Sequence, residues 1–317
     1  MNDRSVADAM AMSRPKAVLA IPTRDRPEML RRCLASVAAL NAPTDLDLDV
    51  VVIDNGSAPP ALERNRRTVE ESIGPFAAAL VVEPEPGIPA ARNRALAEAD
   101  VRHAVAVIFL DDDQSVPADW LVTLLTAWRE ENVDIVKPLV RWAFDPPGRL
   151  TQHFRARDPD GPARSPATYH IATNGVLVGR RVWTELGVWF DLRLAHSGGE
   201  DSRFFRDALN RGASAIITRE TQAIEHCPAE KQTRRWLLRR AWRVGAVEAS
   251  TRLKGGGPMR YVARGVLGML AEGILALFFL WSPERAFAHL LRGAKAMGRL
   301  AGSFGGRIDE YDQIIGR

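Results

Sequence analysis

The stretch AVAVIFLDDD, residues 104–113, decides how this chain folds. Seven apolar residues run without a polar alternate, the mark of a strand buried on both faces. The run stops at three adjacent carboxylates. Asp111, Asp112 and Asp113 repel one another unless a cation or hydrogen-bond donors compensate them. In an extended segment Asp111 and Asp113 point the same way, so both can serve one target. Hard oxygen ligands of this kind suit Mg²⁺ or Mn²⁺, and Mg²⁺ commonly combines one or two carboxylates with substrate phosphate. The competing reading is an acidic turn that caps the next helix.

Similar runs lie on either side. KAVLAI (16–21), LDVVVIDN (48–55), AALVVE (78–83), VDIVKP (133–138) and ASAIITRE are strand candidates. Helical patterns separate them. In PEMLRRCLASVAAL, residues Met29, Leu30, Cys33, Leu34, Val37 and Leu40 recur at helical spacing. PAARNRALAEAD (89–100) has a proline in its first turn, and VPADWLVTLLTAWREE (116–131) and SRFFRDALNRG add two more helices. Strand and helix in alternation predict an α/β fold, a mostly parallel sheet flanked by helices. Residues 141–170 break the rhythm with FDPPGRL and RARDPDGPARSP, and read as a long binding loop or lid.

The chain has 317 residues, 46% hydrophobic and 26% charged, which excludes a disordered or collagen-like protein. Two cysteines, Cys33 and Cys227, are too few for a disulfide framework and suit a reducing compartment. The net charge of +4 is uneven. Residues 231–317 hold 16 Lys/Arg against 6 Asp/Glu, so the tail is basic and the remainder acidic. MNDRSVADAMAMSRPK has no long apolar core and reads as a flexible N-terminus rather than a signal peptide. Within the tail, RRWLLRRAWRVG (234–245) is cationic and aromatic. GVLGMLAEGILALFFLWSP (265–283) carries the single charge of Glu272, and Arg285, His289, Arg292, Lys295 and Arg299 form a basic stripe. An apolar helix beside a cationic one predicts a membrane-associating extension over 246–317. Nucleic acid is the weaker partner, because the arginines mix with that apolar run.

Four further polar clusters stand at the junctions between strands and helices. In an open α/β sheet, ligands bind outside the carboxyl ends of the strands. Asp54, before Asn55-Gly56-Ser57, can accept hydrogen bonds from a base or ribose, or can build an Asx turn. Glu85-Pro86-Gly87-Ile88-Pro89 leads into a helix whose first turns hold Arg92 and Asn93. Asn174-Gly175 precedes VLVGRR. Gly198-Gly199-Glu200-Asp201 opens a helix, either as cap and dipole partners or as a carboxylate base on a glycine loop.

Taken in order, IPTRDRPEMLRRCLASV, VVVIDNGS, EPGIPAARNRAL, FLDDDQSVPADWL, TNGVLVGRR and GGEDSRFFRDALNRG resemble glycosyltransferase family 2, which has the GT-A fold. The match covers about residues 16–245, taken as the catalytic domain. EPGIPAARN, TNGVL, GGED and HCPAEKQTRRWLLRRAWRVG look most like the branch that includes succinoglycan-type glucosyltransferases of bacterial exopolysaccharide assembly. The resemblance implies an inverting hexosyltransferase that uses a nucleotide-diphosphate sugar, with UDP the usual carrier. It implies a saccharide or lipid-linked saccharide acceptor, at the cytoplasmic face of the inner membrane. Pro22, Thr23 and Arg24 would sit in the nucleotide pocket and Asp54 on the base. Arg92, Asn93, Asp111 and Asp112 would contact the donor, with Asp113 and Asp111 on the metal. Asn174, Gly175, Gly198 and Gly199 would line the sugar or acceptor site. Glu200 would orient substrate, and Asp201 would deprotonate the acceptor hydroxyl. His226 is a candidate third metal ligand, and Glu225 beside it is the residue that branch tends to keep.

Other readings make distinct demands. A sugar nucleotidyltransferase would carry a glycine-rich triphosphate loop after the first strand, where this chain has IPTRDRPE. A dinucleotide-dependent oxidoreductase would need G-x-G-x-x-G there. A non-catalytic nucleotide-sugar-binding or membrane scaffold protein would have no use for Asp111, Asp113 and Asp201 together.

Overall fold

The computed structural model describes residues 14–71, 74–144, 146–154, 161–167, 171–195, 198–252 and 258–304. Most of the N-terminal stretch and parts of the 141–170 segment lie outside the described residues. The chain forms two compact units. One takes residues up to 141 with 157–190 and 204–225; the other takes 142–156, 191–203 and 226–317.

The first unit is built on a sheet whose strands are β1 (Lys16–Thr23), β2 (Asp47–Asp54), β3 (Ala77–Val82), β4 (Ala106–Phe109), β5 (Gln114–Ser115), β6 (Ile135–Phe144), β7 (Arg164–Pro166), β8 (Val176–Gly179) and β9 (Ala215–Cys227). The order is β3-β2-β1-β4-β8-β6-β9-β5, with β7 on β9. β1, β2, β3 and β4 are parallel, while β8 is antiparallel to β4 and β6. The apolar runs read as doubly buried strands are so: β4 is buried throughout, and β1 and β2 nearly so. β3 is the edge strand on the parallel side and is only half covered.

The intervening helices are α1 (Pro27–Ala38), α2 (Pro59–Glu71), α3 (Ile88–Val101), α4 (Trp120–Glu131), α5 (Arg181–Thr184) and α6 (Glu200–Asn210). Alternate strand residues serve opposite faces. Leu19, Ile21, Val50 and Val52 join Leu30, Leu34, Trp120 and Leu121 of α1 and α4 in one apolar layer. Val18, Ala20, Val51 and Ile53 join Ala91, Ala95 and Leu96 of α3, together with Trp183, Phe204 and Phe205, in the other. Phe190 stacks on Phe204 at 4.1 Å and meets Phe109 edge-on at 5.8 Å.

Several elements depart from the sequence reading: β5, β8 and α5 are not among its candidates, and β8 brings antiparallel pairing into the centre of the sheet. α2 is a further helix, hidden by its polarity: only Ala61, Asn65 and Val69 are buried. The stretch read as one loop over 141–170 contains β7, which pairs with β9 from Arg164↔Thr218 to Pro166↔Ile216. Arg164 fixes that edge through ion pairs to Glu220, Glu130 and Glu131.

The second unit is mainly three helices: α7 (Arg234–Arg252), α8 (Pro258–Phe278) and α9 (Pro283–Ser303), with α9 packed on both others. Small residues make the α7–α9 contact a meeting of backbones. A Cβ on Gly298 would stand 1.8 Å from the Trp242 carbonyl oxygen, one on Gly245 2.0 Å from that of Lys295, and one on Gly302 2.4 Å from that of Ala246. The basic stripe of α9 turns largely inward. Lys295 and Arg299 pair with Glu248 of α7 at 2.6 and 3.0 Å, which with burial opposing holds that carboxyl below its usual range. His289 lies 2.7 Å from Glu272 of α8. Beside these helices, Phe154, Cys227, Leu237 and Phe287 form a small core of their own. No helix among the described residues is long and apolar enough to cross a membrane.

Gly298→Ala is therefore expected to lower stability by about 2 kcal/mol, since neither backbone can yield without parting the helices. Gly273→Ala on α8, where nothing lies within 4 Å of the added Cβ, is expected to raise stability by about 0.5–1 kcal/mol through backbone entropy and helix propensity. Urea unfolding of both variants checks the contrast, and equal responses would remove the close backbone contact as the reason.

Candidate active site

Because β1, β2 and β4 are parallel, their carboxyl ends share one edge of the sheet. The chain builds β1, β2 and β3 outward in one direction, then returns to lay β4 on the other side of β1. In such sheets ligands bind in the crevice at that reversal, here outside the carboxyl ends of β1 and β4. Thr23 ends β1 and Asp111 stands two residues beyond the end of β4.

Asp112 closes the floor. It is buried, its Oδ2 accepts the Thr23 hydroxyl at 2.8 Å, and its Oδ1 lies 3.3 Å from Arg26 Nη1. Burial raises the Asp112 carboxyl above its ordinary range; Arg26 opposes this, Asp113 adds to it, and the Thr23 hydrogen bond opposes it. Arg26 in turn is raised: burial works against its charge, and Asp112, Asp113 and Asp111 outweigh that. Asp112 thus faces inward as part of the wall. Asp111 is more open: its N–H donates to Gln114 Oε1 at 3.0 Å, and one oxygen lies 3.9 Å from Arg92 Nη2. Asp113 is nearly buried beside them. Cys33 sits behind this cluster with its Sγ 3.7 Å from the Asp111 carbonyl, and burial, then the three carboxylates, push its thiol well up. It is an inert packing residue.

The neighbouring junctions are stapled to one another. Asp25 holds φ 54°, a left-handed conformation, and its Oδ1 accepts the Ala58 N–H at 2.8 Å while its own N–H donates to Ser57 Oγ. Asp54 has its two oxygens on the Ser57 N–H and Asn65 Nδ2, at 2.9 and 2.8 Å, which is the Asx-turn arrangement. Asn55 donates to the Glu83 and Glu85 carbonyls and accepts the Gly87 N–H at 2.8 Å. Gly87, at φ 127°, then starts α3. Arg92 is buried on that helix with its guanidinium over the Phe190 ring, 5.7 Å from the centroid. Asn93 brackets the Phe190 backbone, donating to its carbonyl at 2.9 Å and accepting its N–H at 2.8 Å. Pro22 and Arg24 are half-buried at the end of β1.

Asn174 receives the Lys137 ammonium on both its backbone and side-chain oxygens. Gly175, at φ 80°, lets the turn into β8 pack on Ala223, Pro138 and Trp120. Strand register adds Glu225, which lies opposite Gln114 across the β5–β9 pair, one residue from Asp113 in sequence.

The remaining predicted residues belong to the second unit. Gly198 and Gly199 have φ 68° and 90°, and a Cβ on Gly199 would stand 2.7 Å from Val247 of α7. Glu200 is buried and Asp201 half-buried in the first turn of α6. Arg243 of α7 is lowered to about 10, by burial first and by Arg240 and Arg239, with Glu200 opposing. Arg240 lies over the rings of Trp142 and Trp236. His226 stands near the end of β9.

Asp25, Arg26, Asn55, Gln114, Lys137 and Arg243 are the residues that sequence reasoning missed. The one available signal was their place beside motif residues. Among the described residues, no three His, Cys, Asp or Glu side chains gather into a ready metal cage. Asp111 and Asp113 nonetheless fit a cation that completes its shell with phosphate and water, as Mg²⁺ commonly does.

These features are the ones a nucleotide-dependent transferase needs at a parallel sheet edge, and comparison with known proteins identifies the class. Residues 18–185 match the family model "Glycosyl transferase family 2". A relative, "Succinoglycan biosynthesis protein ExoM" of Rhizobium meliloti (strain 1021), is 32% identical over 233 residues, 72% of each chain. The chain belongs to glycosyltransferase family 2 and is a glycosyltransferase, as its motifs implied. Among solved structures it is similar to the mannosyltransferase PcManGT from Pyrobaculum calidifontis in complex with GDP-Man and Mn²⁺. The TM-score is 0.60 at 23% identity, covering 91% of this chain and 88% of that one. It is also similar to S. aureus TarS 1-349 in complex with UDP-GlcNAc, with TM-score 0.54 at 13% identity, covering 95% of both. The fold is GT-A-like, with a mostly parallel sheet flanked by helices and C-terminal helices beyond it.

Arg26→Ala is expected to cost about 3 kcal/mol at neutral pH, because it strands the Asp112 charge in a buried site. The sign with pH follows from linkage. A carboxyl whose folded pKa is raised contributes stability that is complete below its unfolded value and is lost as pH rises through the folded value. Acidification, which protonates Asp112, should therefore shrink the penalty of Arg26→Ala. Urea unfolding at neutral and mildly acidic pH measures this, and a pH-independent penalty would show that the Asp112 charge is not its source.

Proposed function

We propose that this glycosyltransferase moves a hexose from a nucleotide-diphosphate sugar, with UDP as carrier, to a saccharide or lipid-linked saccharide by a single inverting displacement. The observation that carries the reading is the pair Asp111 and Asp113 just beyond β4, flanking Asp112, whose carboxylate accepts the Thr23 hydroxyl at the end of the neighbouring parallel strand β1. The relative's part in succinoglycan biosynthesis supports exopolysaccharide assembly, and a lipid-linked acceptor would suit a site at the cytoplasmic face of the inner membrane.

Leaving-group departure builds negative charge on the diphosphate. Asp113 and Asp111 would hold a divalent cation there, with His226 the candidate third ligand. Complexes of similar folds with Mn²⁺ support the choice of ion class. When bound, the cation neutralises that charge without proton transfer. Arg92 and Asn93 would border the donor, Pro22, Thr23, Arg24 and Asp54 the nucleoside, and Asp112 would hold the donor wall through Thr23 and Arg26. Asn174, positioned by Lys137, would line the sugar or acceptor site with Gly175. Asp201 would take the proton of the acceptor hydroxyl, with Glu200 orienting substrate and the Gly198-Gly199 loop giving it freedom to close. General-base assistance of this kind is typically worth 10²–10⁴-fold.

Asp201→Asn is expected to reduce transfer by about 10³-fold while leaving donor affinity unchanged; turnover close to wild type would reassign the base. Asp113→Ala is expected to abolish the metal dependence of donor binding. A panel of UDP-, GDP- and dTDP-sugars, read by calorimetry with and without Mn²⁺, tests both the carrier and the cation. Preference for a GDP-sugar would overturn the UDP assignment, and full activity in excess chelator would remove the metal.

A further inference from the structure

The longest apolar segment of the second unit presents a surface that the chemistry proposed above does not use. Leu267, Leu270, Ile274, Leu277 and Phe278 of α8, and Trp281 in the turn after it, follow one another at spacings of three, four, three, one and three. Such spacing puts them on one side of the helix. They are exposed: Leu267 by 67%, Ile274 by 66%, Leu277 by 67% and Trp281 by 70%. The single charge between 265 and 283, Glu272, is turned toward α9, where His289 Nδ1 lies at 2.7 Å and Arg292 at 3.9 Å. Over residues 265–278, the outer side of α8 therefore carries no charge of its own. Soluble monomers seldom leave contiguous apolar patches of more than a few hundred Å² open to water.

Charge indicates what covers it. At the far end of α8, the Arg285 guanidinium lies 5.8 Å from the ring centre of Phe279 and 5.6 Å from that of Trp281, and Arg292 is exposed about two turns further along. An exposed Trp beside guanidinium groups is the residue chemistry of a membrane–water boundary, with the ring at headgroup depth and the cations on phosphates. Residues 231–317 carry a net charge of +10. A second copy of this tail would be repelled, whereas an anionic surface would be attracted. α8 is neither long nor apolar enough to cross a bilayer.

We propose that α8 lies flat in the headgroup–acyl boundary of an anionic lipid bilayer. Leu267, Leu270, Ile274, Leu277 and Phe278 enter the acyl region, and Arg285 and Arg292 meet anionic headgroups. The proposal rests on the membrane-side part of the function proposed above and assigns it to one helix face. It also sets aside the basic stripe as the main attachment, since His289, Lys295 and Arg299 are engaged between helices.

Flotation of the full chain with vesicles of phosphatidylcholine, with and without phosphatidylglycerol, tests it. Wild type should float with both and more strongly with phosphatidylglycerol. Ile274→Asp with Leu277→Asp should weaken binding by about tenfold or more on both vesicles, because a charge at acyl depth is costly. Arg285→Ala should remove part of the phosphatidylglycerol increment only. Both acidic substitutions fall on exposed positions, and an unchanged thermal melt would exclude unfolding; Leu267→Asp with Leu270→Asp repeats the test on the preceding turns. Sugar-nucleotide hydrolysis should be unchanged in all of these variants, so inactive wild type would fault the proposed donor chemistry and leave the lipid result standing. Absence of wild-type flotation, or equal flotation of the acidic variants, would overturn the proposal. So would light scattering that finds a dimer which Ile274→Asp with Leu277→Asp converts to monomer.

Discussion

Three carboxylates cannot share one strand end unless something separates their charges, and the placement of Asp112 is what separates them here. With its oxygens on Thr23 and against Arg26, the middle aspartate leaves the crevice. The flanking pair is thereby directed to a different environment, with Asp111 beside Arg92. The arrangement ties β1 to the segment after β4, the two strands between which the sheet reverses. A buried ion pair of this kind adds little net stability, because desolvation offsets its attraction. Its effect is on specificity: it fixes which carboxylate points where.

The same economy of position runs through the neighbouring junctions. Asp54 looks from sequence like a ligand waiting for a nucleotide, yet it and Asn55 beside it both have structural partners. Asp54 holds its own turn and Asn65, and Asn55 holds the loop from Glu83 to Gly87. A site that must bind a flexible sugar nucleotide benefits from walls that do not move, since ordering them at the moment of binding would cost affinity. The left-handed Asp25 belongs to this scaffold, as its strained backbone is held by hydrogen bonds to Ser57 and Ala58.

How much of this was legible follows from the range of the interactions. β1, β2 and β4 were readable because burial on both faces writes itself into an unbroken apolar run. α2 was not, because a helix that buries three small or medium side chains leaves almost no periodic signal. β7 was hidden inside a proline- and glycine-rich stretch, its pairing set by a partner more than fifty residues away. Arg26, Asn55 and Lys137 act through partners 28 to 86 residues distant, a separation that no local pattern records. The apolar run over 265–283 read as one segment because hydropathy does not count turns. In the structure α8 ends at Phe278, a turn over 279–282 follows, and Pro283 starts α9 where a missing N–H is harmless.

The basic stripe on α9 illustrates why charge patterns mislead when read alone. Five cations at helical spacing suggest a solvated or lipid-facing side. Placing that helix between α7 and α8 gives four of them carboxylate partners, Glu248 and Glu272, and leaves the apolar side of α8 outward. Glycines cause this inversion. With Gly245, Gly298 and Gly302 at the crossing, the α7 and α9 backbones approach closely enough that Lys295 and Arg299 reach across to Glu248. Bulkier residues at those positions would hold the helices apart and return the cations to solvent. The small residues thus determine not only how the helices pack but which chemistry the unit offers its surroundings.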